Sequence, residues 1–172
     1  MLPRDGQRCT KLVTITNSLQ VAGNDPDPRI RCHVGDHIRE HGIKWDKLVA
    51  SPAERVKLTL SEGIPDLEPQ WDERLYLAGT DTIMEVIREA GGDADTLLVS
   101  GHNPGLGDML FELVAPKNEN ALYDEAKVKF PTAAFAVFEL DIEDWADLRD
   151  GCGKLVHFAR PRDLDADLGP EY

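Results

Sequence analysis

Residues 97–110, LLVSGHNPGLGDML, decide how this chain folds. Four apolar or small residues in a row, closed by glycine, predict a buried strand over Thr96–Ser100 (TLLVS). Pro104 and Gly105 then open a predicted helix that runs to Val114. Gly101, His102 and Asn103 fill the corner between them. A buried strand that gives way to a helix within a few residues is half of a βαβ unit.

Working outward, the alternation repeats. KLVA (Lys47–Ala50) predicts a second strand. SPAERV follows, and Ser51 as N-cap, Pro52 at the first helical position and Glu54 as capping-box partner predict a helix with Arg55 in its first turn. KLVTIT (Lys11–Thr16) is strand-like, and NSLQVAGNDPDP after it is loop-like. Arg29–His41 predicts a helix stopped by Gly42, and Asp81–Ala90 one stopped by Gly91-Gly92. LEPQW is a possible third strand, and AAFAVFEL and KLVHFA read as late strands. Strands separated by helices need crossovers, so the fold class is α/β: a three-layer α/β/α arrangement on a mostly parallel central sheet. The two late strands suggest that one edge is not parallel.

The 172 residues fit one domain over 1–172, without repeat or linker, and with 1–28 as an atypical N-terminal segment. No apolar stretch is long enough to span a bilayer and the N-terminus has no apolar signal core, so a cytoplasmic protein is expected. The net charge of −13 opposes nucleic acid and anionic membrane surfaces as partners. Cys9, Cys32 and Cys152 are odd in number and form no CxxC pair, so reduced, non-catalytic thiols are expected.

In α/β folds ligands gather beyond the carboxyl ends of the strands. Two strands end there beside chemistry: KLVA leads to Arg55 and TLLVS leads to His102. Both helices begin at that edge, with free N–H groups and positive dipole ends. Arg55 offers a fork for two phosphate oxygens and His102 a donor to a third, which makes a phosphate pocket. The plainer alternative is an arginine paired to a carboxylate and a histidine that only caps a strand.

SPAERV with Thr59, WDERLYLAG, LLVSGHNPGL, KFPTAAFAVFEL and ARPRDL, in that order, resemble the histidine phosphatase superfamily, and within it the small SixA-type phosphohistidine phosphatases. The resemblance covers about Arg29 to the C-terminus. It implies a phosphoglycerate mutase-like fold and hydrolysis of a phosphorylated protein or a small phosphate ester, without metal or organic cofactor. In that family two arginines and two histidines hold the phosphoryl group, and one histidine becomes phosphorylated before water releases phosphate. By match of motif, Arg55 is the second phosphate-gripping arginine and His102 the second, non-nucleophilic histidine. Gly101 and Asn103 shape the turn. Glu73 is a candidate acid, with a structural ion pair as the alternative.

The resemblance fails at the first strand, which in the family ends in Arg-His, the histidine being the nucleophile. Here Asn17 and Ser18 take those positions. Asn17 carries no charged fork, and Ser18 cannot form a phosphohistidine. Two explanations stand open: a degenerate member that binds phosphate weakly or not at all, or a misread coding frame before about Arg29. His33, His37 and His41 form a stripe at zinc-compatible spacing, but Ile30, Val34 and Ile38 run beside it. A solvated helix edge is expected there rather than a metal site. His157, Trp45, Trp71 and Trp145 are assigned to structure and packing, and the acidic run ELDIEDWADLRD to a solvated turn and short helix.

Overall fold

The run at 96–101 forms strand β4 (Thr96–Gly101), buried from Leu97 onward. Continuous burial is what a strand covered on both faces requires. The computed structural model describes residues 11–17, 45–63, 68–76, 78–102, 105–128 and 135–159; side chains are not described at 12–17, 55, 58, 59, 62, 63 and 135. The helix predicted over 29–41, with its histidine stripe, lies outside the described residues.

β4 pairs in parallel with β1 (Lys11–Asn17) on one side and β2 (Lys47–Ala50) on the other. β2 pairs in parallel with β3 (Pro69–Trp71). Beyond β1 the sheet turns antiparallel through β5 (Phe135–Leu140) and β6 (Gly153–Ala159). The order is β3-β2-β4-β1-β5-β6, so the parallel sheet with one non-parallel edge predicted from the sequence is what forms.

Parallel neighbours need crossovers. Helix α1 (Glu54–Gly63) joins β2 to β3, α2 (Thr80–Gly91) joins β3 to β4, and α3 (Gly105–Leu113) and α4 (Ala121–Val128) lie between β4 and β5. Val49, Leu97 and Val99 share one buried cluster with Ile83 and Ile87 of α2 and Leu106, Met109 and Leu110 of α3. Leu48, Ala50 and Leu98 alternate with them along the strands and therefore face the other way. They are buried as fully, as are Val56 and Leu60 of α1. Helices thus flank both faces of an α/β sheet. No helix among the described residues is long and apolar enough to cross a membrane.

The acidic run after β5 is a turn with a 3-10 segment at Trp145–Asp147, but its apolar side is core: Ile142, Trp145 and Leu148 are all buried. The Trp145 indole Nε1–H donates to the Ala94 carbonyl at 2.7 Å, and Lys11 Nζ donates to the same oxygen at 3.0 Å. Gly91 is obligatory beneath that ring, since a Cβ there would stand 2.1 Å from Trp145 Cγ. Gly92, at φ 51°, ends α2 as the Gly-Gly pair predicts.

Three local expectations are corrected. The helix predicted from Ser51 begins at Glu54, and Ala53 occupies the capping position, its carbonyl accepting the N–H groups of Val56 and Lys57. Ser51, the first residue past β2, donates its N–H to the Ser100 carbonyl at 3.0 Å. Trp71 does not pack inside but is 43% exposed, because β3 is an edge strand. Helix α4 was not anticipated; Asn120 caps it, its Oδ1 accepting the Tyr123 N–H at 2.9 Å.

Candidate functional site

The carboxyl ends of β1, β2 and β4 lie side by side. Register pairs Asn17 with Gly101 and Ala50 with Ser100, so the chain leaves all three strands at one edge. His102 is the first residue past β4 and is 4% exposed. Its carbonyl accepts the Leu106 N–H at 3.2 Å, so the histidine stands immediately ahead of α3. Its Nε2 lies 2.8 Å from the Ser51 hydroxyl, which is fully buried. The ring of Tyr76 meets the imidazole edge to face, with centroids 5.4 Å apart and planes at 78°. Tyr76 is half exposed and forms one wall of the corner.

Arg55 is the second residue of α1, just past Ser51, so its backbone begins a helix at the edge where His102 sits; its side chain is not described. The first turns of α1 and α3 therefore open onto neighbouring strand ends, the arrangement that makes helix N-termini attractive to anions. Gly101 is the last residue of β4, and the atoms nearest a Cβ there would be Leu106 carbons at 3.7 Å and beyond. Packing by the described residues does not demand a glycine at this position. Asn103 and Ser18 lie outside the described residues. Gly105 is different. A Cβ there would lie 2.1 Å from the Ala78 carbonyl oxygen, so only glycine lets α3 start this close to the chain entering α2.

Glu73 is exposed on a 3-10 turn and forms no ion pair among the described residues. The pairing belongs to its neighbours: Arg74 makes a two-pronged contact with Asp72, Nε to Oδ1 at 3.1 Å and Nη2 to Oδ2 at 2.8 Å, and reaches Glu89 at 2.6 Å. The Arg74 hydrogen bond holds the Asp72 carboxyl below the ordinary aspartate range, and the carboxylates hold the guanidinium still more firmly charged. This clasp fixes the segment that delivers Tyr76. Cys152 is buried at the opposite end of the sheet, and burial pushes its thiol up, as expected for an inert cysteine.

Two features were missed by sequence reasoning. Ser51 was assigned to a helix cap, and nothing local distinguishes a capping serine from one that meets a histidine. Ser100 is the other. It is fully buried near the end of β4, and its hydroxyl has no hydrogen-bond partner among the described residues.

No family model matches the chain. The uncharacterized protein Rv1276c of Mycobacterium tuberculosis is 36% identical over 129 residues, covering 74% of this chain and 81% of the relative. SixA from Nakamurella multipartitia, a protein to which the phosphohistidine phosphatase name is assigned, superposes with a TM-score of 0.73 at 25% identity, over 88% of this chain and 96% of that one. Phosphoglycerate mutase from Plasmodium falciparum shares the fold at a TM-score of 0.51 and 16% identity, over 88% and 89% of the two chains. The chain belongs to the histidine phosphatase superfamily. Within it, its place is in the SixA-like branch, on a phosphoglycerate mutase-like α/β fold.

Proposed function

We propose that the chain recognises a phosphoryl group at the carboxyl edge of its sheet, with His102 and Arg55 as ligands and Gly101 and Asn103 shaping the histidine turn. The activity inherited from the SixA branch is hydrolysis of a phosphoryl group through a phosphohistidine intermediate, with protein phosphohistidine or a small phosphate ester as substrate. In this chain that hydrolysis is weak or absent.

One observation carries the proposal. β1 ends at Asn17, in register with Gly101 and thus beside the strand that delivers His102. In the family the arginine takes that position and the nucleophilic histidine the next one, which in this sequence is Ser18. A carboxamide provides neither a charged fork nor a nitrogen nucleophile. The partners that remain, an arginine at the start of α1 and a histidine at the start of α3, suit binding charge on three phosphoryl oxygens better than breaking a P–O or P–N bond.

The same asparagine favours a second reading, a non-catalytic module that binds phosphate or phosphoprotein. Aryl phosphate turnover and calorimetric titration with inorganic phosphate separate the two. Turnover near background with phosphate binding that His102→Ala weakens at least tenfold is the expected result. The Asn17→Arg, Ser18→His double variant gaining turnover would favour the catalytic ancestry over the pure binding module. Robust turnover by the unaltered chain, lost in His102→Ala, would overturn the impairment. Phosphate binding that is absent, or indifferent to His102→Ala, would overturn the site.

A further inference from the structure

We infer that Ser51 fixes the tautomer of His102: the serine hydroxyl donates to Nε2, and the neutral imidazole carries its own proton on Nδ1. The inference comes from satisfying each polar atom of a buried serine. Ser51 is 0% exposed and His102 4%, so bulk solvent scarcely reaches their polar atoms, and partners within the protein are required. The Ser51 N–H is committed to the Ser100 carbonyl at 3.0 Å. Ser51 Oγ accepts the Ala53 N–H at 3.4 Å, which uses one of its two acceptor sites. Its single proton then needs an acceptor, and the one contact within reach among the described residues is His102 Nε2 at 2.8 Å.

The opposite arrangement, Nε2–H donating to Oγ, would leave a buried hydroxyl proton without an acceptor among the described residues, which is costly. Which ring nitrogen is protonated follows from the bond the other one makes. Free histidine favours Nε2–H, so the serine reverses the ordinary preference. Tyr76, edge-on at 5.4 Å, opposes rotation of the ring that would undo the pairing.

Ser51 is accordingly a positioning residue. If His102 contacts phosphate, a role that rests on the function proposed above, it meets the oxyanion as a donor through Nδ1. The serine presets it as such before any ligand arrives. The tautomer itself does not depend on that function.

The test is long-range 1H–15N correlation on the full chain labelled at histidine, with His102→Gln assigning the resonance, at a pH where the ring is neutral. Nδ1 is expected in the protonated range and Nε2 in the unprotonated range. Ser51→Ala is expected to convert the ring to mainly Nε2–H, and Ser51→Thr, which restores a hydroxyl, to recover Nδ1–H. Nε2–H as the major form in the unaltered chain overturns the inference without recourse to any variant. An unchanged tautomer in folded Ser51→Ala overturns it too. Inorganic phosphate titrated into the same samples reports on the site separately. Failure of the unaltered chain to bind phosphate would sink the proposed function while the tautomer stood or fell on its own spectrum.

Discussion

Gly105 is a position where one added carbon should be felt clearly. In an ordinary helix Gly→Ala stabilises by roughly 0.5–1 kcal/mol, because glycine has more backbone freedom to lose. Here the new Cβ would stand 2.1 Å from the Ala78 carbonyl oxygen and 2.9 Å from Ile83 Cδ1. The isoleucine methyl can swing away, but the carbonyl is backbone. Restoring even a 3.4 Å contact asks α3 or the segment before α2 to move by about 1.3 Å, the difference between those two distances. Overpacking of that kind costs about 1–3 kcal/mol. Taking the middle of each range, about 2 less about 0.75, a net loss of about 1.3 kcal/mol remains, which for a chain of this size lowers Tm by roughly 3–5 °C. Gly101→Ala is the control from the same motif, since its Cβ would meet Leu106 at an ordinary 3.7 Å. Its Tm should stay within about 2 °C, corresponding to less than ~0.5 kcal/mol. Differential scanning calorimetry of the two variants decides the matter. A Gly105→Ala Tm equal to or above that of the unaltered chain would refute the close-approach explanation, as would equal losses at both glycines.

Trp145→Phe should cost about 1–3 kcal/mol, from the Nε1–Ala94 hydrogen bond and the lost half of the indole, and no more, because Lys11 still satisfies the Ala94 carbonyl; urea unfolding followed by circular dichroism measures it, and a loss beyond that range would mean the ring holds more than this corner. Asp72 titrates below its ordinary range in the folded state, so its ionised form contributes stability that is fully present above that range and lost as pH falls through the lowered value. The Tm gap between the unaltered chain and Asp72→Asn should therefore be widest near neutrality and close on acidification below the aspartate range; a gap independent of pH would show that the carboxylate charge is not what Arg74 clasps.

The fold is legible where punctuation is strong. TLLVS followed by Gly101 and Pro104-Gly105, and the Gly91-Gly92 stop, announce β4, α3 and the end of α2 within a residue or so. Helix α4 escapes because its apolar positions are few and its one clear signal, the Asn120 cap, is a residue type equally at home in a turn. Trp71 misleads for a related reason: aromatic residues favour strands, but no local feature says that this strand lies at an edge. The site divides the same way. His102 announces itself as a histidine at a strand-to-helix corner. Ser51 does not, since its partner is 51 residues away and is brought near by the parallel pairing of β2 with β4. Gly105 can be seen as a glycine, but the Ala78 carbonyl that makes it necessary belongs to another crossover.

β1 comes early in the chain and sits fourth in a six-stranded sheet, between β4 and β5. Its parallel partner is about 80 residues downstream. At a synthesis rate of ~5–20 residues per second, the nascent chain carries this strand unmatched for roughly 4–17 s before β4 leaves the ribosome. The β5–β6 edge is made last, but β1, the segment that ends in Asn17, waits longest for its first partner and is the one most dependent on chaperone cover until β4 arrives.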